Sequence, residues 1–285
     1  PTLQKLYMSL VGAVAFCLIT RLDVAVHVVA LQRVLQKPQI IHIKRLNKIV
    51  KWMQENPIEL HYTRIQGDTA LLMFSDSAFK KEDDTGHALK GAIYLRVPLS
   101  KLPMSSTTGL AKLDVNELMQ IACHVLDYMS RSQKHVTRST FSSELFGACD
   151  TQDHGFLICT ILHQVTCGAI DAIEAKRLRE EGGWSVPMIL VVDAYSVFSA
   201  VTANVLKVPA DSSLLAHVQY LRELLERLIL YALWWCDTRD MYADGCTKGA
   251  IERDKLHELM RGTIVLTKQI HSWSTPKRDK LLSFA

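Results

Sequence analysis

Met188-Ile189-Leu190-Val191-Val192 is an unbroken apolar run that stops on a carboxylate, Asp193. A short run without alternation marks a strand buried on both faces, as in the parallel part of an α/β sheet. Such a strand needs helices above and below it, which restricts the chain to a layered α/β architecture. An acid at its end is costly to bury uncompensated. Asp193 is either the cap of a helix expected from Ala194 or a cation ligand at the carboxyl end of a central strand.

The rest of the chain supplies the layers. Residues 6–55 read as helices. Leu31, Val34 and Leu35 mark one apolar face, and Leu46, Ile49, Val50 and Met53 mark the next, with Lys37-Pro38 interrupting between them. Strands are expected at 60–64, 70–75, 88–97 and 121–129. Residues 98–113, rich in Ser, Thr, Pro and Gly, read as an irregular insertion. Ser139 and Thr140 cap a helix over 141–166 that Gly155 is placed to interrupt. Further helices are expected at 172–181 and 213–228, and a last strand at 230–235. A final helical stretch covers 241–260, with a break near Gly249. The order predicts an α/β fold with a mixed sheet flanked by helices, preceded by a small helical unit.

Composition narrows the class. An apolar share of 48% against 22% charged residues fits a globular chain. The formal charge of +4 permits nucleic-acid binding without arguing for it. Seven scattered cysteines, an odd number without a C-x-x-C pair, do not form a disulfide framework and fit a reducing intracellular setting. No histidines and cysteines stand at zinc-finger spacing. The apolar stretch Leu6–Thr20 is short for a bilayer span, which takes about 20 residues, and reads as a buried helix, so no membrane partner is expected. The sequence starts at Pro1 rather than methionine, the expectation for a processed product or a fragment.

Three more acids invite the two readings given to Asp193. Asp76 follows the apolar stretch Leu71–Ser75 and is either a turn residue or a ligand. Its neighbours Glu82, Asp83 and Asp84 read as a solvated turn. Glu144 lies in the first turns of a helix, where an acid is favoured by the helix dipole alone. Asp240 and Asp244 share a face at a spacing where like charges repel. Asp240 is placed to cap the last helix, leaving Asp244 to face a cation.

Taken in order, four segments form a set: Phe74-Ser75-Asp76-Ser77-Ala78-Phe79, Arg138-Ser139-Thr140-Phe141-Ser142-Ser143-Glu144-Leu145, Val191-Val192-Asp193-Ala194-Tyr195-Ser196, and Tyr242-Ala243-Asp244-Gly245-Cys246-Thr247-Lys248. This set resembles the ribonuclease H domain of copia-type retrotransposon polyproteins. There a strand aspartate, a helix glutamate, a strand-end aspartate and an Ala-Asp-x-x-Thr-Lys helix follow in that order. Tyr7–Gly12 and Thr20–Ala25 resemble the segment joining polymerase to nuclease in the same polyproteins. Two departures stand out: Leu22 replaces the family's usual proline, and Asp193-Ala194 replaces Asp-Asn. Neither removes an acid. Nothing resembles a polymerase Asp-Asp motif, so the chain is not expected to synthesise DNA.

The resemblance implies a division into a helical connection segment (1–57), a ribonuclease H-like domain (58–262) and a carboxy-terminal tail (263–285). Deleting residues up to about Pro57 is expected to leave a folded nuclease. It implies that Asp76, Glu144, Asp193 and Asp244 are catalytic and hold two Mg2+ ions, with Mn2+ as the alternative, one ion activating water and the other stabilising the leaving 3′ oxygen. The implied substrate is RNA paired to DNA, recognised by shape and 2′-hydroxyl contacts. Lys134, His135, Arg138 and Arg239 are candidates for gripping nucleic acid, and a solvated basic turn is the plainer reading of the first three. His217 is expected to serve a structural hydrogen bond. The implied partners are the hybrid and the polymerase portion of the same polyprotein, in a cytoplasmic particle or the nucleus. Competing readings are a decayed or domesticated module that keeps the fold without cutting, and another ribonuclease H-like enzyme such as an integrase or exonuclease.

Overall fold

The computed structural model describes residues 2–79, 88–103, 108–113, 115, 119–134 and 137–276. Three helices come first: α1 (Leu3–Phe16), α2 (Ala25–Gln32) and α3 (Ile40–Glu55). The expected break at Pro38 lies between α2 and α3. Tyr7, Val11, Val28, Leu31, Leu46 and Ile49 close a small core among them. The layer is not self-contained, because Leu22 packs into the main core instead.

Five strands follow: β1 (Thr69–Ala78), β2 (Leu89–Pro98), β3 (Gly109–Leu113), β4 (Met119–Ala122) and β5 (His124–Ser132). The long helix α4 (Thr140–Cys167) comes next, then α5 (Ala172–Glu181), β6 (Met188–Val192), α6 (Tyr195–Thr202), α7 (Leu215–Glu226) and β7 (Ala232–Trp235). Two short helices, α8 (Asp244–Thr247) and α9 (Asp254–Met260), precede β8 (Thr263–Leu266) and β9 (Ile270–Ser274). The main sheet has the order β3-β9-β7-β6-β1-β2-β5, and β4 pairs with β8 apart from it. β6 runs parallel to both β1 and β7, and the outer pairings are antiparallel. The α/β class with a mixed, helix-flanked sheet is therefore as expected.

Every residue of β6 is buried, as its unbroken apolar run requires. Alternate residues of β1 serve opposite layers. Leu72 and Phe74 join the core under α8 and α9, while Leu71 and Met73 join the core under α4, α6 and α7. Gly155 does not interrupt α4 as expected; it serves close packing instead, since a Cβ there would stand 2.3 Å from the Met73 Sδ.

Several expectations are corrected. Residues 60–64 form no strand; they are tethered by the His61 amide on the Met260 carbonyl and the Tyr62 hydroxyl on the Val125 carbonyl. The strand expected over 121–129 is two strands, divided at Cys123, whose amide bonds the Gly262 carbonyl. The 98–113 insertion holds β3, which pairs with β9. Strand β7 is not the last, since residues 263–274, expected as part of a tail, supply β8 and β9. Residues 277–285, like Glu82, Asp83 and Asp84, lie outside the described residues. Among the described residues no single helix is long and apolar enough to cross a membrane.

Candidate metal centre

Parallel pairing brings the first two acids together. Ser75 of β1 is in register with Val192 of β6. The next residue on each chain is an aspartate, so Asp76 and Asp193 leave the centre of the sheet side by side. Glu144 comes from α4, five residues after its cap, where the Ser139 hydroxyl accepts the Ser142 amide at 3.1 Å. Small residues let this helix approach β1. A Cβ on Gly147 would stand 3.0 Å from the Ser77 Oγ, and Thr151 bonds the Ser75 hydroxyl at 3.1 Å. Glu144, Gly147, Thr151 and Gly155 share the helix face turned to the strand.

The result is a compact trio. Asp76, Glu144 and Asp193 each offer a carboxylate oxygen, and these lie within 4.8 Å of one another, close enough to hold a metal ion. Asp76 is buried at 1% exposure and Glu144 at 8%. Asp244, the first residue of α8, stands beside the trio rather than within it. Lys248 links it to the rest, with its Nζ 2.5 Å from Asp244 Oδ1 and 3.7 Å from Asp76 Oδ1. The Thr247 hydroxyl donates to Asp76 Oδ2. Thr238 donates to Asp193 Oδ2 at 3.0 Å.

Crowding buried carboxylates raises their affinity for protons. Burial, then Asp76 and Asp193, pushes Glu144 up to about 9. Burial and Asp76 push Asp244 up to about 7 against the pull of Lys248. Asp193 is raised by burial and Asp76, with the Thr238 hydrogen bond opposing. Burial lowers Lys248, but Asp76, Asp244 and Asp193 outweigh it and hold the ammonium above its ordinary value. An all-oxygen set whose repulsion Lys248 offsets only in part fits a hard divalent cation.

Of the basic residues expected to grip nucleic acid, the three that are described are not drawn into the cluster. Arg239 pairs with its neighbour Asp237 at 2.8 Å. Lys134 and Arg138 are exposed, and the charge of Arg138 acts on Asp211. His135 lies outside the described residues. The cation at the cluster is Lys248, visible in sequence only as the end of the Ala-Asp-x-x-Thr-Lys segment. Thr238 carries no sequence signal at all. Asp240 does not cap the last helix. It is 1% exposed and accepts the Thr267 and Lys268 amides at 2.7 and 2.8 Å, fastening the turn from β8 to β9. The His217 ring packs edge-to-face on Phe146 at 4.8 Å, and its buried Nδ1 has no hydrogen-bond partner among the described residues, so that nitrogen lends no support to the structural hydrogen bond expected of His217.

No family model and no curated protein matches this chain.

Proposed function

We propose that the chain is a metal-dependent nuclease of the ribonuclease H kind, cutting the RNA strand of an RNA–DNA hybrid during reverse transcription. One observation carries the reading: three carboxylates from a central strand, a long helix and the end of a parallel strand converge, with Asp244 beside them, in the order that resembles that family. Asp76, Glu144 and Asp193, with Asp244, would hold two magnesium ions, with manganese as the alternative. Bound there, such ions supply Lewis-acid stabilisation of charge at phosphorus and a more acidic water.

The chain's own residues set the geometry. Thr247 and Thr238 fix the rotamers of Asp76 and Asp193 by hydrogen bonds. Lys248 draws Asp244 toward Asp76. The two parallel strands hold both aspartates on rigid backbone, which favours precise placement. The helices of residues 1–57 are read as the connection to a polymerase portion of the same polyprotein.

A second reading has one observation in its favour. Lys248 already sets an ammonium between Asp76 and Asp244, as a fold kept for binding alone could do. Incubation with labelled hybrid, duplex DNA and duplex RNA in magnesium or EDTA separates the two. The nuclease reading expects cutting of the hybrid alone, dependent on metal and lost in Asp193→Asn with its circular dichroism intact. No cutting by the parent chain in magnesium, or in manganese used in its place, would leave the binding module.

A further inference from the structure

Positive charge is distributed unevenly along this chain. Residues 1–57 hold eight Lys and Arg against two acids, a balance of +6 where the whole chain carries +4, so the remainder is net negative. Much of that charge sits on α3, which presents Lys44, Arg45, Lys48 and Lys51 to solvent. Several exposed basic residues elsewhere are matched along their own helices. Lys176 faces Glu180, Arg177 faces Glu174, and Arg227 faces Glu223. On α3, Lys51 has Glu55, but Lys44, Arg45 and Lys48 make no ion pair with a described residue.

Arg45 and Lys48 line one wall of a groove of about 570 Å3 whose other wall is the segment from Gly249 to Arg253. That segment leads directly out of the acidic cluster, since Gly249 follows Lys248. Arg253 locks it in place: its guanidinium donates to the carbonyls of Gly245, Gly249 and Lys248 at 2.8, 3.0 and 3.2 Å. Trp52 stands in the same groove, rigid but 38% exposed. Its indole nitrogen donates to Asp23 at 3.3 Å and its ring stacks on His257 at 6.2 Å. Of the two acids in the lining, Asp23 is fully buried and paired with Arg21, which leaves Glu252 as the exposed one.

We propose that this groove is a nucleic-acid track, in which Arg45 and Lys48 neutralise backbone phosphates of a strand running out of the acidic cluster and Trp52 offers an aromatic edge beside it. The direction of the track rests on the nuclease reading; the binding does not. Unpaired cations next to a preordered aromatic are the features that hold a polyanion bearing bases, whereas a polyanion without bases has no use for Trp52.

The test uses the full chain, in EDTA, with a fluorescein-labelled RNA–DNA hybrid of about 24 base pairs, by anisotropy from about 50 to 200 mM salt. Arg45→Glu/Lys48→Glu should weaken binding about ten-fold or more and lower the salt slope by about two, one per lost phosphate contact. Lys176→Glu/Arg227→Glu changes net charge equally and should leave the slope unchanged. Equal losses in both double variants would overturn the track, as would poly-glutamate binding as tightly as the hybrid. If the chain cuts hybrid, the α3 variant should raise KM and keep kcat. Because the anisotropy needs no cleavage, a chain that binds by α3 but never cuts would sink the nuclease reading and leave the track standing.

Discussion

Gly91 faces Asp76 across the β1–β2 ladder, and its missing side chain is what lets α8 lie against the sheet. A Cβ at Gly91 would stand 2.8 Å from the Cys246 Cβ, 2.8 Å from the Thr247 Cγ2 and 3.0 Å from the Ala243 carbonyl oxygen. Cys246 Cβ is fixed to the α8 backbone and the Ala243 carbonyl belongs to the residue that caps it, so the helix itself must move. Gly91→Ala should therefore shift Thr247 and Asp244 away from Asp76. The expected cost is about 1–3 kcal/mol of stability, as for overpacking, with at least a ten-fold loss of magnesium-dependent cleavage. Gly12→Ala places its Cβ in open space and should keep both. Urea denaturation and a hybrid-cleavage assay on the two variants decide it; full activity in Gly91→Ala would show that α8 can yield.

The pH dependence of stability has a definite sign. Glu144 is pushed up to about 9 and Asp244 to about 7, burial being the first cause in each. Between the ordinary carboxylate range and those values the unfolded chain holds fewer protons than the folded one. Stability in EDTA therefore falls as pH rises from about 5 to 9. A cation bound at the cluster competes with those protons. The rise in Tm produced by magnesium should grow from pH 6 to pH 9 and shrink in Glu144→Gln. Differential scanning fluorimetry across that range checks it, and a magnesium shift independent of pH would count against cation binding by these acids.

What could be read in the sequence follows from how each element is buried. β6 and α4 were legible because one is apolar throughout and the other follows a strong serine cap. β9 was not, because its inward residues Ser272 and Ser274 are polar though buried, so alternation does not show. β3 escaped because its pattern is too short and lies among turn-forming residues. The acids are legible by order and motif, and so are Thr247 and Lys248 in the same motif, but other companions are not. Thr238 and Gly91 act through tertiary proximity, the first by a hydrogen bond to Asp193 and the second by leaving space, and neither has a local signature.

The amino-terminal helices meet α9 through a buried carboxylate, Asp23, which accepts from His257 at 3.2 Å. Asp23 is fully buried and accepts from Arg21 at 2.9 and 2.8 Å, from Trp52 and from His257, which lies on α9. Burial raises this carboxyl, but the Arg21 hydrogen bonds and charge outweigh it and hold it below its ordinary value. Its contribution is present above the ordinary carboxylate range and lost as pH falls through the folded value. Asp23→Ala strands Arg21 and should cost about 3–5 kcal/mol. Removing residues 1–57 also uncovers the core where Leu22 was packed, so the truncated chain should be unfolded or aggregated, against the expectation from sequence. A cooperative melt of the truncated protein would show that these contacts are dispensable.

Lys248 and a divalent cation would draw on the same oxygens. Its ammonium lies between Asp244 Oδ1 and Asp76 Oδ1, and it offsets repulsion that would otherwise fall wholly on the carboxylates. Lys248→Met removes that offset without adding a charge. In EDTA the variant should melt lower than the parent, most clearly above pH 7 where Asp244 is ionised. In magnesium the order should reverse in binding: with no ammonium to displace, half-saturation should come at a lower magnesium concentration, by about ten-fold if roughly 1.4 kcal/mol of competition is removed. Lys248→Arg keeps the charge and should resemble the parent. Isothermal titration with magnesium measures this directly. Weaker binding in Lys248→Met would mean that the lysine serves to hold Asp244 in place, so that its pull on the carboxylate outweighs its competition with the ion.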